Sequence, residues 1–326
     1  MRRLLRFLGV SLVLFVGAAV VFWAVGPREP AEVVPAFDAA ALPAVLDAYL
    51  ADREATVGGI VPGAEKRIVW AGDAGAKTPW AVVYLHGFSA TAEEIRPVPD
   101  EVAAALGANL YFTRLAGHGV GSDRFAGPTV NDWMIDTAEA LAIGRRIGER
   151  VLIISTSTGG TLAAEAALQA DLRDEMDGIV FISPNFGVQA WAARLLDWPL
   201  ARRWVAAVAG QERCFEPVND VHARYWTTCY PTVALLPMAA LVRHAVAQDY
   251  AGVTTPALFL FSPQDQVVSP QATEAFAARW GGPAIVERIT VGAGDDPNSH
   301  VIAGDALSTS MTGPVADRII GWAKGL

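Results

Sequence analysis

The sequence predicts an α/β protein: a mostly parallel sheet flanked by helices, with an inserted helical cap and an N-terminal transmembrane helix in front. Three observations carry this expectation. Short apolar, largely β-branched or aromatic runs recur at residues 80–85, 151–154, 178–182 and 257–261, each of buried-strand length. Ala/Leu-rich stretches of helical length alternate with them, as at residues 161–170. The alternation breaks once, over residues 188–250, where an insertion fits.

In chain order, the first six residues are basic, with Arg2, Arg3 and Arg6. Residues 7–26 then carry no charge and one hydroxyl, Ser11, which is enough to span a bilayer as a helix. A cleaved signal peptide would have a shorter apolar region and a small-residue exit. Here the run is longer and ends in bulky residues around Trp23, so residues 1–26 read as an uncleaved anchor. The arginines would hold the N-terminus in the cytoplasm, leaving the rest of the chain periplasmic or otherwise extracytoplasmic. Residues 27–40, rich in Pro and Ala, read as a tether, and residues 41–326 as the folded domain. A helix is expected over residues 42–52 and a strand around residues 67–71.

The strand at 80–85 runs into His86, Gly87 and Phe88. The strand at 151–154 runs into Ser155, Thr156, Ser157, Thr158, Gly159 and Gly160, followed by the helix at 161–170. A serine on a sharp strand-to-helix turn needs small neighbours at −2 and +2, and Ser157 has Ser155 and Gly159 there. Ser155 fits less well, because bulky Ile153 stands at its −2 position. Downstream, the strand at 257–261 ends in a turn holding Asp265, and a strand at 285–291 precedes a Gly/Asp-rich loop holding His300. Of the five histidines only His300 follows Asp265; His86, His118, His222 and His244 fail on order.

These residues resemble the α/β-hydrolase fold family, in its monoglyceride-lipase, carboxylesterase and serine-aminopeptidase-like branch. The resemblance covers nearly all of residues 65–326. Ser157 resembles the serine of the nucleophile elbow, with Ser155 where the usual pattern has a first glycine. The order serine, acid, histidine implies a catalytic triad of Ser157, Asp265 and His300. His86-Gly87-Phe88 resembles the turn whose backbone binds the oxyanion, which implies that role for the N–H groups of Phe88 and Thr158. Gly117-His118-Gly119 resembles a loop after the next strand, and His86 and His118 read as structural. The implied activity is ester hydrolysis through an acyl-enzyme, on short or medium acyl esters or a monoacylglycerol-like substrate. An amidase or peptidase with the same triad is the alternative, and a non-catalytic binding protein on this fold a third.

Composition excludes other classes. The net charge of −9 and the absence of a basic patch argue against nucleic acid as a partner. No Cys/His spacing suits a metal, and no phosphate-binding glycine motif is present, so no cofactor is expected. The expected partners are a small-molecule ester and the membrane, with no obligate protein partner. Four of the ten tryptophans, Trp191, Trp198, Trp204 and Trp226, fall in the insertion. They suit an apolar acyl-binding roof or simple packing of a small cap. The only cysteines, Cys214 and Cys229, fall there too. An even pair outside the cytoplasm suggests a disulfide, with two free thiols the alternative. Such a loop closure is worth roughly 3 kcal/mol in the chain-entropy account.

Overall fold

The computed structural model describes residues 2–326; Met1, the first residue of the expected anchor, lies outside them. A seven-stranded sheet is built from β1 (Arg67–Val69), β2 (Thr78–Leu85), β3 (Asn109–Phe112), β4 (Gly148–Thr156) and β5 (Gly178–Ile182). A separate ribbon of β6 (Glu212–Cys214) and β7 (Cys229–Pro231) follows, and β8 (Ala257–Phe261) and β9 (Ala284–Arg288) complete the sheet. The order is β1-β3-β2-β4-β5-β8-β9, with β1 antiparallel to β3 and the other pairs parallel. All five residues of β5 and of β8 are buried, because helices cover both faces and neither face can be polar.

The helices are α1 (Arg2–Val25), α2 (Leu46–Val57), α3 (Val98–Leu106), α4 (Ser122–Phe125), α5 (Val130–Ile147), α6 (Thr158–Leu168), α7 (Ala170–Arg173), α8 (Ala201–Ala209), α9 (Asp220–Tyr225), α10 (Leu235–Ala247), α11 (Pro270–Ala277) and α12 (Thr312–Ala323). Side chains alternate along each strand, so two cores form. Val83, Ile153, Phe181 and Phe259 face α5, α6, α10 and α11. Val82, Ile154, Val180 and Leu258 face α3 and α12. The loops at the carboxyl ends of the parallel strands are where a ligand site forms in such a sheet.

Helix α2 is fastened to the body by charge. Its Glu54 makes two 2.8 Å bonds to the Arg114 guanidinium, and its Tyr49 hydroxyl donates to Glu139 at 2.6 Å. Buried Lys66 joins Asp136 at 2.6 Å and also contacts Glu139. A cleft of about 930 Å³ opens beside α2, lined in part by Tyr49, Arg53, Lys66, Arg114 and Asp136. Neither Ser157, Asp265 nor His300 lines it.

The insertion at 188–250 contains a 3₁₀ turn at Trp191–Asp197, then α8, the β6–β7 ribbon, α9 and α10. The ribbon departs from the all-helical expectation. Cys214 and Cys229 are directly paired across it, with Cα atoms 4.0 Å apart and the sulfurs at bonding distance. Trp191 is 78% exposed and Trp226 is buried against His222, while Trp198 packs edge-on against Trp23 of α1 at 5.0 Å. The cap tryptophans thus face several directions and do not form one roof.

Helix α1 is apolar, with mean hydropathy 2.5 over Arg6–Val25, and is long enough to cross a membrane. The stretch after it lies along the cap. Leu200 N–H donates to the Pro27 carbonyl at 2.7 Å, and Arg28 Nε donates to the Asp197 carbonyl at 2.9 Å. Glu29 pairs with Arg202. Farther on, Gln169 of the body donates to the Val33 carbonyl at 2.8 Å.

Candidate active site

Ser157 sits between β4 and α6 with φ 51° and ψ −114°, a conformation L-residues rarely adopt. Its N–H donates to the Ile182 carbonyl at 3.0 Å, and its carbonyl accepts the Asn185 N–H at 3.0 Å. The turn is therefore held by β5. Gly159 is required: a Cβ there would lie 2.1 Å from the Leu85 carbonyl oxygen. The crowding comes from the end of β2 and forces the small residue at +2. Ser155 is buried and donates to the Val180 carbonyl at 2.8 Å, so its hydroxyl is occupied structurally.

Asp265 and His300 meet. His300 Nδ1 lies 2.8 Å from Asp265 Oδ2, and both side chains are buried. Asp265 Oδ1 accepts the N–H groups of Val267 and Val268 at 2.7 and 2.9 Å, which fixes the carboxylate. Burial alone would lower the His300 pKa, but the Asp265 charge and hydrogen bond outweigh it and raise the value above normal. The His300 loop is tied by Asp296, whose Oδ2 accepts the backbone N–H of His300 and of Val301 at 2.9 and 2.8 Å. The sequence left Asp296 indistinguishable from its neighbour Asp295. Ser157 and His300 are not hydrogen-bonded to each other here; such bonds are often long before substrate binds.

The turn after β2 is braced from both sides. Leu115 N–H donates to His86 Nε2 at 3.0 Å, so His86 carries its proton on Nδ1 and donates it to the Gly87 carbonyl at 2.9 Å. That carbonyl and the Phe88 N–H belong to one planar peptide and point in opposite directions. Holding the carbonyl therefore aims the N–H. Burial lowers the His86 pKa to about 4, which keeps it neutral in this bracing role. The Phe88 N–H has no acceptor among the described residues. Thr158, at the first position of α6, belongs to the helical turn whose N–H groups lack an intrahelical acceptor.

An aromatic cluster surrounds this turn. Phe88 contacts Phe125 at 4.8 Å, Tyr230 at 5.5 Å, His118 at 5.9 Å and Trp133 at 6.2 Å between ring centres. His118 is fully buried there, its pKa pushed well down by desolvation. Phe125 and Tyr230 come from α4 and the ribbon, and nothing in the sequence connects them to residue 88.

Known proteins share this family and fold. Residues 76–286 match the protein family described as serine aminopeptidase, S33. The chain is 28% identical over 192 residues to a thermostable monoacylglycerol lipase of Bacillus sp. (strain H-257), spanning 59% of this chain and 73% of that one. Its fold resembles that of a structure from a study of two metagenome-derived lipolytic enzymes, with TM-score 0.63, 19% identity, and coverage of 82% of this chain and all of the other. It also resembles a soluble variant of monoglyceride lipase from Saccharomyces cerevisiae in complex with a substrate analogue, with TM-score 0.61, 12% identity, and coverage of 82% and 96%.

Proposed function

Since the chain belongs to the serine aminopeptidase S33 family of α/β-hydrolases, we propose that it is a membrane-anchored serine hydrolase that cleaves carboxylic esters of monoacylglycerol type. The observation that carries this reading is the buried Asp265–His300 pair in a chain that also holds Ser157 on a strained strand-to-helix turn. Ser157 Oγ attacks the ester carbonyl carbon while its proton passes to His300 Nε2. Asp265 holds the Nδ1 proton and stabilises the imidazolium. The N–H groups of Phe88 and Thr158 receive the oxyanion. Collapse breaks the ester C–O bond, and the leaving alcohol takes its proton from His300. A water then gives a proton to His300 and attacks the acyl carbon; the acyl–Oγ bond breaks, Ser157 Oγ takes that proton back from His300, and the carboxylic acid leaves.

The membrane part of the proposal rests on α1 and its contacts with the cap. Trp23 stands at the end of the apolar helix, where interfacial aromatics belong, and Trp198 packs on it. Exposed Trp191 and Val208, with Arg202 and Arg203 close by in sequence, suit the level of lipid headgroups. The basic N-terminus supports an extracytoplasmic hydrolase domain. We also assign a disulfide to Cys214 and Cys229.

A fluorophosphonate probe followed by peptide mapping tests the chemistry. Label is expected on Ser157, and label elsewhere or none would overturn the proposal. A panel of acyl esters and aminoacyl amides then separates ester from amide hydrolysis; faster turnover of the amides would move the activity to a peptidase.

A further inference from the structure

Glu94 is a buried acid that the triad does not use. It ends the 3₁₀ turn Ala92–Glu94 and is 2% exposed. Its neighbour Glu93 pairs with Arg67 and Arg96, whereas Glu94 makes no ion pair among the described residues. One oxygen does all of its bonding: Oε2 accepts the Gly87 N–H at 2.7 Å and the Tyr84 hydroxyl at 2.9 Å. The Tyr84 hydroxyl also lies 3.1 Å from Thr156 Oγ1. Gly87 precedes Phe88, and Thr156 precedes Ser157. A single carboxyl therefore links the two backbone segments that carry the proposed oxyanion donors. The other oxygen lies across Gly87 from Ser157: a methyl built on Gly87 would lie 2.6 Å from Glu94 Oε1 and 3.1 Å from Ser157 Cβ.

We infer that Glu94 is a positioning residue for the oxyanion turn and that it works as a neutral acid, with Oε2 gripping the turn and a hydroxyl on Oε1 beside Ser157. Among the described residues no cation lies within ion-pair distance to balance a negative charge on this carboxyl, and Oε1 accepts no hydrogen bond. An ionised group would place a full negative charge next to the position where the oxyanion grows, and in a dry site that opposes the reaction. Burial without a cationic partner raises the Glu94 pKa, more than Gly87, Tyr84 and the nearby His300 lower it. The inference rests on the acyl-transfer reading above.

The test compares the full-length chain with Glu94→Gln and Glu94→Leu in detergent. The readouts are kcat and KM on a p-nitrophenyl ester, the rate of fluorophosphonate labelling, and the thermal melt. Gln reproduces the shape and donor pattern of a neutral Glu, so it should lose less than about tenfold in kcat, whereas Leu should lose about 100-fold or more with KM changed little, the scale of a lost oxyanion contact. Labelling should slow in parallel. A folded Glu94→Leu with kcat within about threefold of the parent would overturn the positioning role, being well below that scale. A Glu94→Gln as slow as Glu94→Leu would overturn the neutral form. If Glu94→Leu does not fold, Tyr84→Phe removes one donor to Oε2 in its place, and an unchanged kcat there would overturn the role. Label away from Ser157 in the parent chain would bring down the hydrolase reading and this one together. Label on Ser157 at an unchanged rate in Glu94→Leu would bring down the role of Glu94 alone.

Discussion

Among the described residues, four of the five non-glycine residues with positive φ are serines: Ser89, Ser157, Ser183 and Ser299. Each borders the proposed site, one after Phe88, one at the elbow, one after β5 and one before His300. A side chain in that region costs roughly 1–2 kcal/mol, and such strain persists only where surrounding bonds over-determine it. Ser157→Ala should abolish ester hydrolysis, and His300→Ala nearly so, with kcat losses on the order of 10⁶. Ser155→Ala should keep substantial activity, since that hydroxyl is bound to β5. The base must be neutral to act, and Asp265 holds the His300 pKa above its usual value. So kcat/KM should rise with pH through a midpoint above about 6.5. In Asp265→Asn the raising charge is gone and burial remains, so the midpoint should move to lower pH while the plateau falls by about 10⁴. A pH profile with an unmoved midpoint would count against the pairing. Gly159→Ala should lower the melting temperature, because overpacking typically costs about 1–3 kcal/mol and the Leu85 carbonyl has no room to retreat.

Among the elements, the strands buried on both faces were the most legible. The runs at 178–182 and 257–261 match β5 and β8 to the residue, because every position must be apolar and a turn bounds each end. The edges were blurred: β1 ends at Val69 instead of residue 71, and β9 covers 284–288 instead of 285–291. β1 is at most half-buried and β9 largely exposed, so hydrophobicity does not mark where pairing stops. Helix α6 begins at Thr158, three residues before its Ala/Leu-rich signal, because Gly159 and Gly160 are helical for tertiary reasons. The candidate triad could be read from chain order and strand ends. Glu94 could not, since two adjacent glutamates look alike until the fold turns one outward to arginines and the other inward to Gly87. The ribbon was equally hidden, with β6 exposed at all three positions and without alternation. Its cysteines give a test at this scale. Reduction should destabilise the protein by roughly 3 kcal/mol on the chain-entropy estimate, read as a lower melting temperature. Full alkylation of both thiols in unreduced protein from its native compartment would refute the bridge.

For the whole molecule, a chain beginning at Ala36 should be soluble and should hydrolyse water-soluble esters about as fast as the full chain, because Ser157, Asp265 and His300 all lie downstream. It should lose rate on vesicle-borne monoacylglycerol, where anchoring raises local concentration. Equal rates on vesicles would refute the membrane-substrate reading. The same cut removes the bonds from Pro27, Arg28 and Glu29 to the cap, so this chain should melt below one beginning at Gly26. Those bonds have a mechanical consequence. Residues 27–29 travel with the cap at Asp197, Leu200 and Arg202, whereas Val33 is held by Gln169 of the body. Only the four steps from Glu29 to Val33 lie between the two moorings. Fully stretched, four residues reach about 13–14 Å. That length would be a stop on any outward swing of the cap, which could move from the body no farther than this leash allows unless one mooring tears.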